Sequence, residues 1–229
     1  MKADEMMRVY RWDTDGSVAR QDLGGTLLPY PFSSLLLEEA RFPEVRAIAP
    51  SPPQLTFLGS GDFHFLSLFL LEKVEQPFVL LLLDHHSDAQ ESAFGPLLSC
   101  GGWLRWAVEL PLLVETRLWG PDPDQSAYLP PKCHILTGEP AETLWSGPHP
   151  FYLSLDKDLL AEEVLPLGWD QGETGEEELW ELLAGKRRLL AADICGEPPD
   201  RPIDFHPGKE AARQQSERLN QRILQLLIA

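Results

Sequence analysis

The sequence predicts an α/β protein, a single three-layer domain built on a mainly parallel sheet. Three observations carry that reading. Six short apolar runs lack clean alternation and are bounded by Gly, Pro or Asp, as strands buried on both faces of a sheet are. Helical patterns lie between them, and strands that alternate with helices pair in parallel through crossover connections. The 229 residues, 43% of them hydrophobic, are enough for one substantial core and too few for two.

Taken in chain order, residues 7–12 are a candidate edge strand, and the first fifty or so residues fit no other motif. Residues 54–58 are the first buried strand. A helical pattern follows over 63–74, then the most apolar strand, 78–83. A helix is expected over 98–110, with strands over 112–118, 133–136 and 151–155. Residues 176–184 read as a helix whose first turn holds consecutive glutamates, which suit the positive end of the helix dipole. Residues 189–194 form the last strand, and 208–228 a long amphipathic helix. Pro-rich patches at 50–53, 121–131, 198–202 and 207 read as loops.

Composition narrows the function. Thirty-six acidic against 19 basic residues give a formal net charge of −17. That balance argues against nucleic acid and anionic membranes as partners, because phosphate binding needs clustered Lys and Arg. It suits cationic substrates and metal ions only weakly, since acidic surfaces also serve solubility. The cysteines Cys100, Cys133 and Cys195 are odd in number and lack short spacing. They argue against a disulfide framework and a zinc site built of thiolates, and make a reduced, cytoplasmic compartment the default. The opening residues carry no apolar core of a signal peptide. No run approaches the roughly 20 apolar residues of a membrane span.

In parallel sheets ligands bind at the carboxyl ends of the strands, and there the sequence is dense in acids and imidazoles. Asp84-His85-His86-Ser87-Asp88 follows the strand at 78–83. Asp156-Lys157-Asp158 follows 151–155, Gly61-Asp62-Phe63-His64 follows 54–58, and Asp193-Ile194-Cys195-Gly196-Glu197 closes 189–194. In an extended segment Asp84, His86 and Asp88 would point to one side, and so would Asp156 and Asp158. One Asp after a strand is ordinarily a turn former or a helix cap. Four carboxylates and an imidazole gathered together repel one another unless divalent cations sit among them. Oxygen-rich donors with a minority of imidazole favour manganese.

These segments resemble the arginase/agmatinase (ureohydrolase) family. Residues 84–88 match its D-A-H-x-D motif with His85 in place of Ala, and Ser154 to Asp158 match S-x-D-x-D. Gly61 to His64 is similar to G-G-D-H with one residue inserted. Ser99 to Glu109 is similar to the S-H-G-T-P-F-R-R-A-V-E segment of agmatinases. The resemblance spans about residues 55–200. It implies an arginase/deacetylase-like domain holding two divalent ions, manganese by preference. His64, Asp84, Asp88 and Asp156 would hold one ion, and Asp84, His86, Asp156 and Asp158 the other. A hydroxide bridging the ions would attack a guanidino, formimino or related amidine carbon, oriented by Asp158 and breaking a non-peptide C–N bond. Family members commonly form homo-oligomers.

The departures are as informative. The family's proton-shuttling histidine falls on Cys100, a poorer relay near neutral pH. Its guanidinium-binding Glu falls on Gly196, so Glu197 would serve only if the loop shifts by one residue. Gln90 stands at the place of an arginase Asn. Trp169-Asp170 is a candidate clamp for a cationic or planar group, or a buried anchor of its loop. His85 is read as an outer donor or a packing residue, and His134, His149 and His206 as ordinary. Two other readings stay open: a single-zinc, deacetylase-like amidohydrolase, and a metal-binding protein without catalysis.

Overall fold

The computed structural model describes residues 6–32, 35–92, 95–123, 129–198 and 208–228. In chain order the elements are β1 (Arg8–Asp13), β2 (Thr26–Pro29), β3 (Leu37–Glu38), α1 (Phe42–Ile48), β4 (Gln54–Phe57), α2 (Ser67–Leu71), β5 (Phe78–Leu83) and β6 (Leu97–Leu98). Then come α3 (Trp103–Ala107), β7 (Leu113–Trp119), β8 (Cys133–Ile135), α4 (Ala141–Leu144), β9 (Phe151–Asp156), α5 (Glu176–Ala184), β10 (Leu189–Cys195) and α6 (Lys209–Ile228). Eight strands form one sheet in the order β2-β1-β4-β10-β9-β5-β7-β8, and every pairing in it is parallel. β3 and β6 pair antiparallel as a separate ribbon.

The apolar runs lack alternation because both faces of the sheet are covered. In β5, Leu80 and Leu82 face one core with Phe42, Val45, Phe69 and Leu104 of α1–α3. Val79, Leu81 and Leu83 face the other, with Leu144, Leu179, Leu219 and Ile223 of α4–α6. Helices on both faces of one sheet make the three layers. Each fully buried Leu in them contributes about 1.5–3 kcal/mol relative to exposure.

Three local expectations change. β1 is not the edge strand, because β2 pairs along its outer side. Residues 61–66 wind as a 3-10 turn before α2 begins, so the helix expected over 63–74 is shorter and enters tightly. The stretch 98–110 opens with β6 and a 3-10 turn at Cys100–Gly102, and only Trp103–Ala107 is α-helical. Two glycines and Ser99 at this entry break the periodic pattern before Trp103. Among the described residues, no helix is long and apolar enough to cross a membrane.

Candidate metal centre

Register brings the chemistry together. β4, β10, β9 and β5 are neighbours in the middle of the sheet. Leu83 lies opposite Leu155, and Cys195 opposite Asp156. Asp84, Asp156 and Cys195 therefore leave the sheet at one level. The 3-10 turn after β4 carries His64 over the same point.

The two carboxylate motifs do not run on as extended chain. Asp156 Oδ1 accepts a hydrogen bond from the Asp158 amide at 3.0 Å and caps the 3-10 turn Lys157–Leu159. Asp84 Oδ1 likewise accepts from the His86 amide at 2.6 Å, and Asp88 sits in the left-handed region at φ 49°. Convergence thus comes from turns rather than strand alternation. The carboxylates bend their own backbone by accepting from it two residues on. Gly120 packs against the Asp84 carbonyl so closely that a Cβ there would overlap it.

His64 is buried, and its orientation follows from a chain of donors. Asp193 accepts from Ser154 Oγ at 2.7 Å, Tyr152 OH at 2.7 Å and Ser67 Oγ at 2.9 Å. With its proton given to Asp193, the Ser154 hydroxyl accepts from His64 Nε2 at 2.9 Å. A neutral His64 therefore presents the lone pair of Nδ1. That atom lies 2.9 Å from Asp88 Oδ2, 3.2 Å from Asp84 Oδ2 and 3.5 Å from Asp156 Oδ2. Yet His64 Nδ1 and Asp84 Oδ2 are both buried without a hydrogen-bond partner. Nδ1 and three carboxylate oxygens converge here, an arrangement that a shared proton or a bound cation would satisfy.

A second donor group shares Asp84. His86 Nδ1 lies 2.9 Å from Asp158 Oδ2 and 3.8 Å from Asp84 Oδ1. His64/Asp84/Asp88 and Asp84/His86/Asp158 each place their donor atoms within 4.8 Å of one another. Electrostatics mark the same point. Burial, then Asp158 and Asp88, push the Asp84 carboxyl well above its ordinary value. Burial and Asp158 push Asp156 up to about 7. The hydrogen bond to Asp158 holds His86 up at about 9. Protons occupy what a divalent ion would take over. The chemistry of these residues fits a divalent ion.

Above the centre opens a cleft of about 440 Å³, lined among others by Asp62, Gln90, Cys100, Trp169 and Asp170. Gln90, Cys100, Trp169 and Asp170, all singled out in the sequence, thus meet there with His86, Asp88, Asp156 and Asp158. Burial, with Asp88 and Asp62 nearby, pushes the Cys100 thiol up to about 11, so it stays protonated at neutral pH. Asp170 is 81% exposed at the rim, with Oδ2 3.5 Å from His85 Nε2 and 3.7 Å from His86 Nε2. Trp169 is half-buried and packs on the core behind it. His134 and His149 lie outside the cleft lining, and His206 lies outside the described residues.

Glu197 is the exception. Its carboxylate is buried, hydrogen-bonded to Lys157 Nζ, Ser216 Oγ (2.7 Å), Gln21 Nε2 (2.8 Å) and Asn220 Nδ2 (2.6 Å). It is not among the residues that line the cleft. Gly196 before it sits at φ 79°, with Asp156 Oδ1 and the Lys157 amide where a Cβ would stand. In this structure Glu197 takes part in a buried ion-pair network rather than in the cleft.

The sequence reading missed three residues of this site. Trp103 donates from Nε1 to Asp88 Oδ2 at 2.6 Å and packs on the His64 ring. Asp193 was visible at its strand end, but not as the anchor of Ser154. Lys157, fully buried between Asp156 and Asp158, was given no role.

The comparisons agree with this architecture. No protein-family model matches the chain. An uncharacterised protein of Thermotoga maritima is 35% identical over 225 residues, 94% of this chain and 87% of that one. The two belong to one family. Among solved structures, proclavaminate amidino hydrolase from Streptomyces clavuligerus superposes with a TM-score of 0.64 at 13% identity. The match covers 97% of this chain and 92% of that one. The formimidoylglutamase of Bacillus subtilis gives 0.63 at 12% identity, over 99% and 89%. These likenesses show a shared arginase-like α/β fold. Within this arginase-like fold, the described cleft lining carries no Lys or Arg. It is an acidic mouth over a cluster of carboxylates.

Proposed function

We propose that the protein is a binuclear metal-dependent hydrolase that cleaves a non-peptide C–N bond of a guanidino, formimino or related linear amidine. The observation that carries this is the pair of buried, unpartnered atoms, His64 Nδ1 and Asp84 Oδ2, facing further carboxylate oxygens. His64, Asp84, Asp88 and Asp156 would hold one ion, and Asp84, His86, Asp156 and Asp158 the other. When bound, the ions lower the pKa of water and stabilise negative charge developing on it. The carboxylate-rich donor set supports manganese.

The chain's own residues do the rest. Asp193 and Ser154 fix the His64 ring, and Trp103 fixes Asp88. Asp158, joined to the His86 ring and the His85 amide, is placed to orient a nucleophile and hold its proton. Asp62 and Asp170 attract a cationic substrate group, with Trp169 as a flat wall. A protonated Cys100 thiol and Gly196 at positions the family uses for chemistry favour one other reading, a metal-binding protein without turnover.

The deciding experiment is metal content after purification without chelators, with an Asp84→Ala/Asp156→Ala variant in parallel. About two equivalents of ion in the parent, lost in the variant, followed by ammonia, urea or formamide release from an amidine panel, is expected. Bound ions without turnover on any amidine would move the protein to the non-catalytic reading. No ion in either protein would end both.

A further inference from the structure

We infer that Cys195 is a ligand of the ion on the His64 side, which makes that half of the centre sulfur-containing and selective for zinc, cobalt or iron(II) over manganese. The inference rests on the metal-centre reading above and goes beyond its all-oxygen-and-nitrogen donor set.

Three observations carry it. Cys195 Sγ lies 3.1 Å from Asp156 Oδ2. Cys195, Asp156 and His64 form a buried group whose donor atoms all lie within 4.8 Å of one another. Donors bonded to one ion at ~2.0–2.3 Å stand about this far apart. Second, strand alternation sets the direction. Asp193 and Cys195 are two apart in β10 and project to the same face. Asp193 there holds Ser154 against His64, so Cys195 is aimed at the same imidazole from one step nearer the strand end. Third, the group contains His64, whose Nδ1 is buried without a hydrogen-bond partner. A sulfur thus stands beside a buried imidazole nitrogen and carboxylate oxygen.

A thiolate is the soft donor in an otherwise hard set, and soft donors draw zinc, cobalt and iron(II) ahead of manganese. Binding releases the thiol proton to solvent as the sulfur–metal bond forms. The two halves of the centre then differ: one with sulfur, and one, around His86 and Asp158, without.

The test is absorption spectroscopy of the full chain, stripped with a chelator and reloaded with cobalt(II). Visible ligand-field bands report that cobalt is bound. A sulfur-to-cobalt charge-transfer band in the near ultraviolet reports a thiolate ligand. The expected result is both in the parent, loss of only the charge-transfer band in Cys195→Ser, and its retention in Cys100→Ser. Visible bands without a charge-transfer band in the parent would overturn the inference and leave the metal centre standing. So would a charge-transfer band that survives Cys195→Ser and disappears in Cys100→Ser. Absence of all cobalt bands would remove the centre and the inference together.

Discussion

Trp103 Nε1 lies 2.6 Å from Asp88 Oδ2, and the same indole packs on the His64 ring at 5.0 Å between centroids. One side chain outside the ligand set thus positions two members of it. Trp103→Phe keeps most of the packing and deletes the hydrogen bond. We expect ion affinity to fall about 10–100-fold with the fold intact, measured by chelator competition. Unchanged affinity would show that Asp88 needs no such partner.

Lys157 forms a fully buried ion pair with Glu197, completed by Ser216 Oγ at 2.6 Å and Asn220 Oδ1 at 2.8 Å. Removing one partner of a buried pair leaves an uncompensated charge and costs about 3–5 kcal/mol. Lys157→Met is expected to lose that much in urea unfolding. Lys157→Met/Glu197→Leu should regain a large part of it, and a double variant no more stable than the single would contradict this account.

The ion-free protein should lose stability as pH rises. Asp156 is raised from 3.8 to about 7, so its folded form binds the proton more tightly than the unfolded chain. The contribution is present at acid pH and disappears between about pH 4 and 7. His86, raised from 6.5 to about 9, acts in the same sense from about pH 6.5 to 9. Bound ions replace these protons, so the loaded protein should instead gain stability with pH over that range. Melting curves with chelator and with a divalent ion, at several pH values, check both slopes. Parallel slopes would speak against ligation by these groups.

Gly196→Glu, which restores the carboxylate of the family motif, should damage the centre rather than create an arginase. The left-handed backbone and the overlap with Asp156 Oδ1 strain any side chain there. We expect reduced ion content and a loss of stability, read by elemental analysis and thermal unfolding. A well-folded, fully loaded Gly196→Glu protein would refute the steric argument.

Asp170→Asn removes an exposed rim charge that lies 3.7 Å from the His86 ring. If an amidine substrate is found, KM for a cationic one should rise while ion content and kcat stay near the parent's. A fall in ion content would instead place Asp170 in the centre.

Much of this was legible in the sequence because parallel strands write their burial and their termini plainly. β5, β9 and β10 appeared within one residue of their observed ends, and the acids after them converge at one end of the sheet. What was not legible depends on contacts between distant residues. Nothing local distinguishes Trp103 from a core tryptophan, or Lys157 from a solvated lysine, until Asp88 and Glu197 are placed beside them. Glu197 is a case of the same kind: a carboxylate near a strand end looks available until its four partners are known.

The network around Glu197 joins Gln21, Lys157, Ser216 and Asn220. It therefore ties the turn carrying Asp156 and Asp158 to the last helix, α6. On the ribosome, every strand of the sheet is made before the residues that neutralise Lys157 emerge. The turn that carries Asp156 and Asp158 therefore gains its full set of buried partners only after α6 has been made.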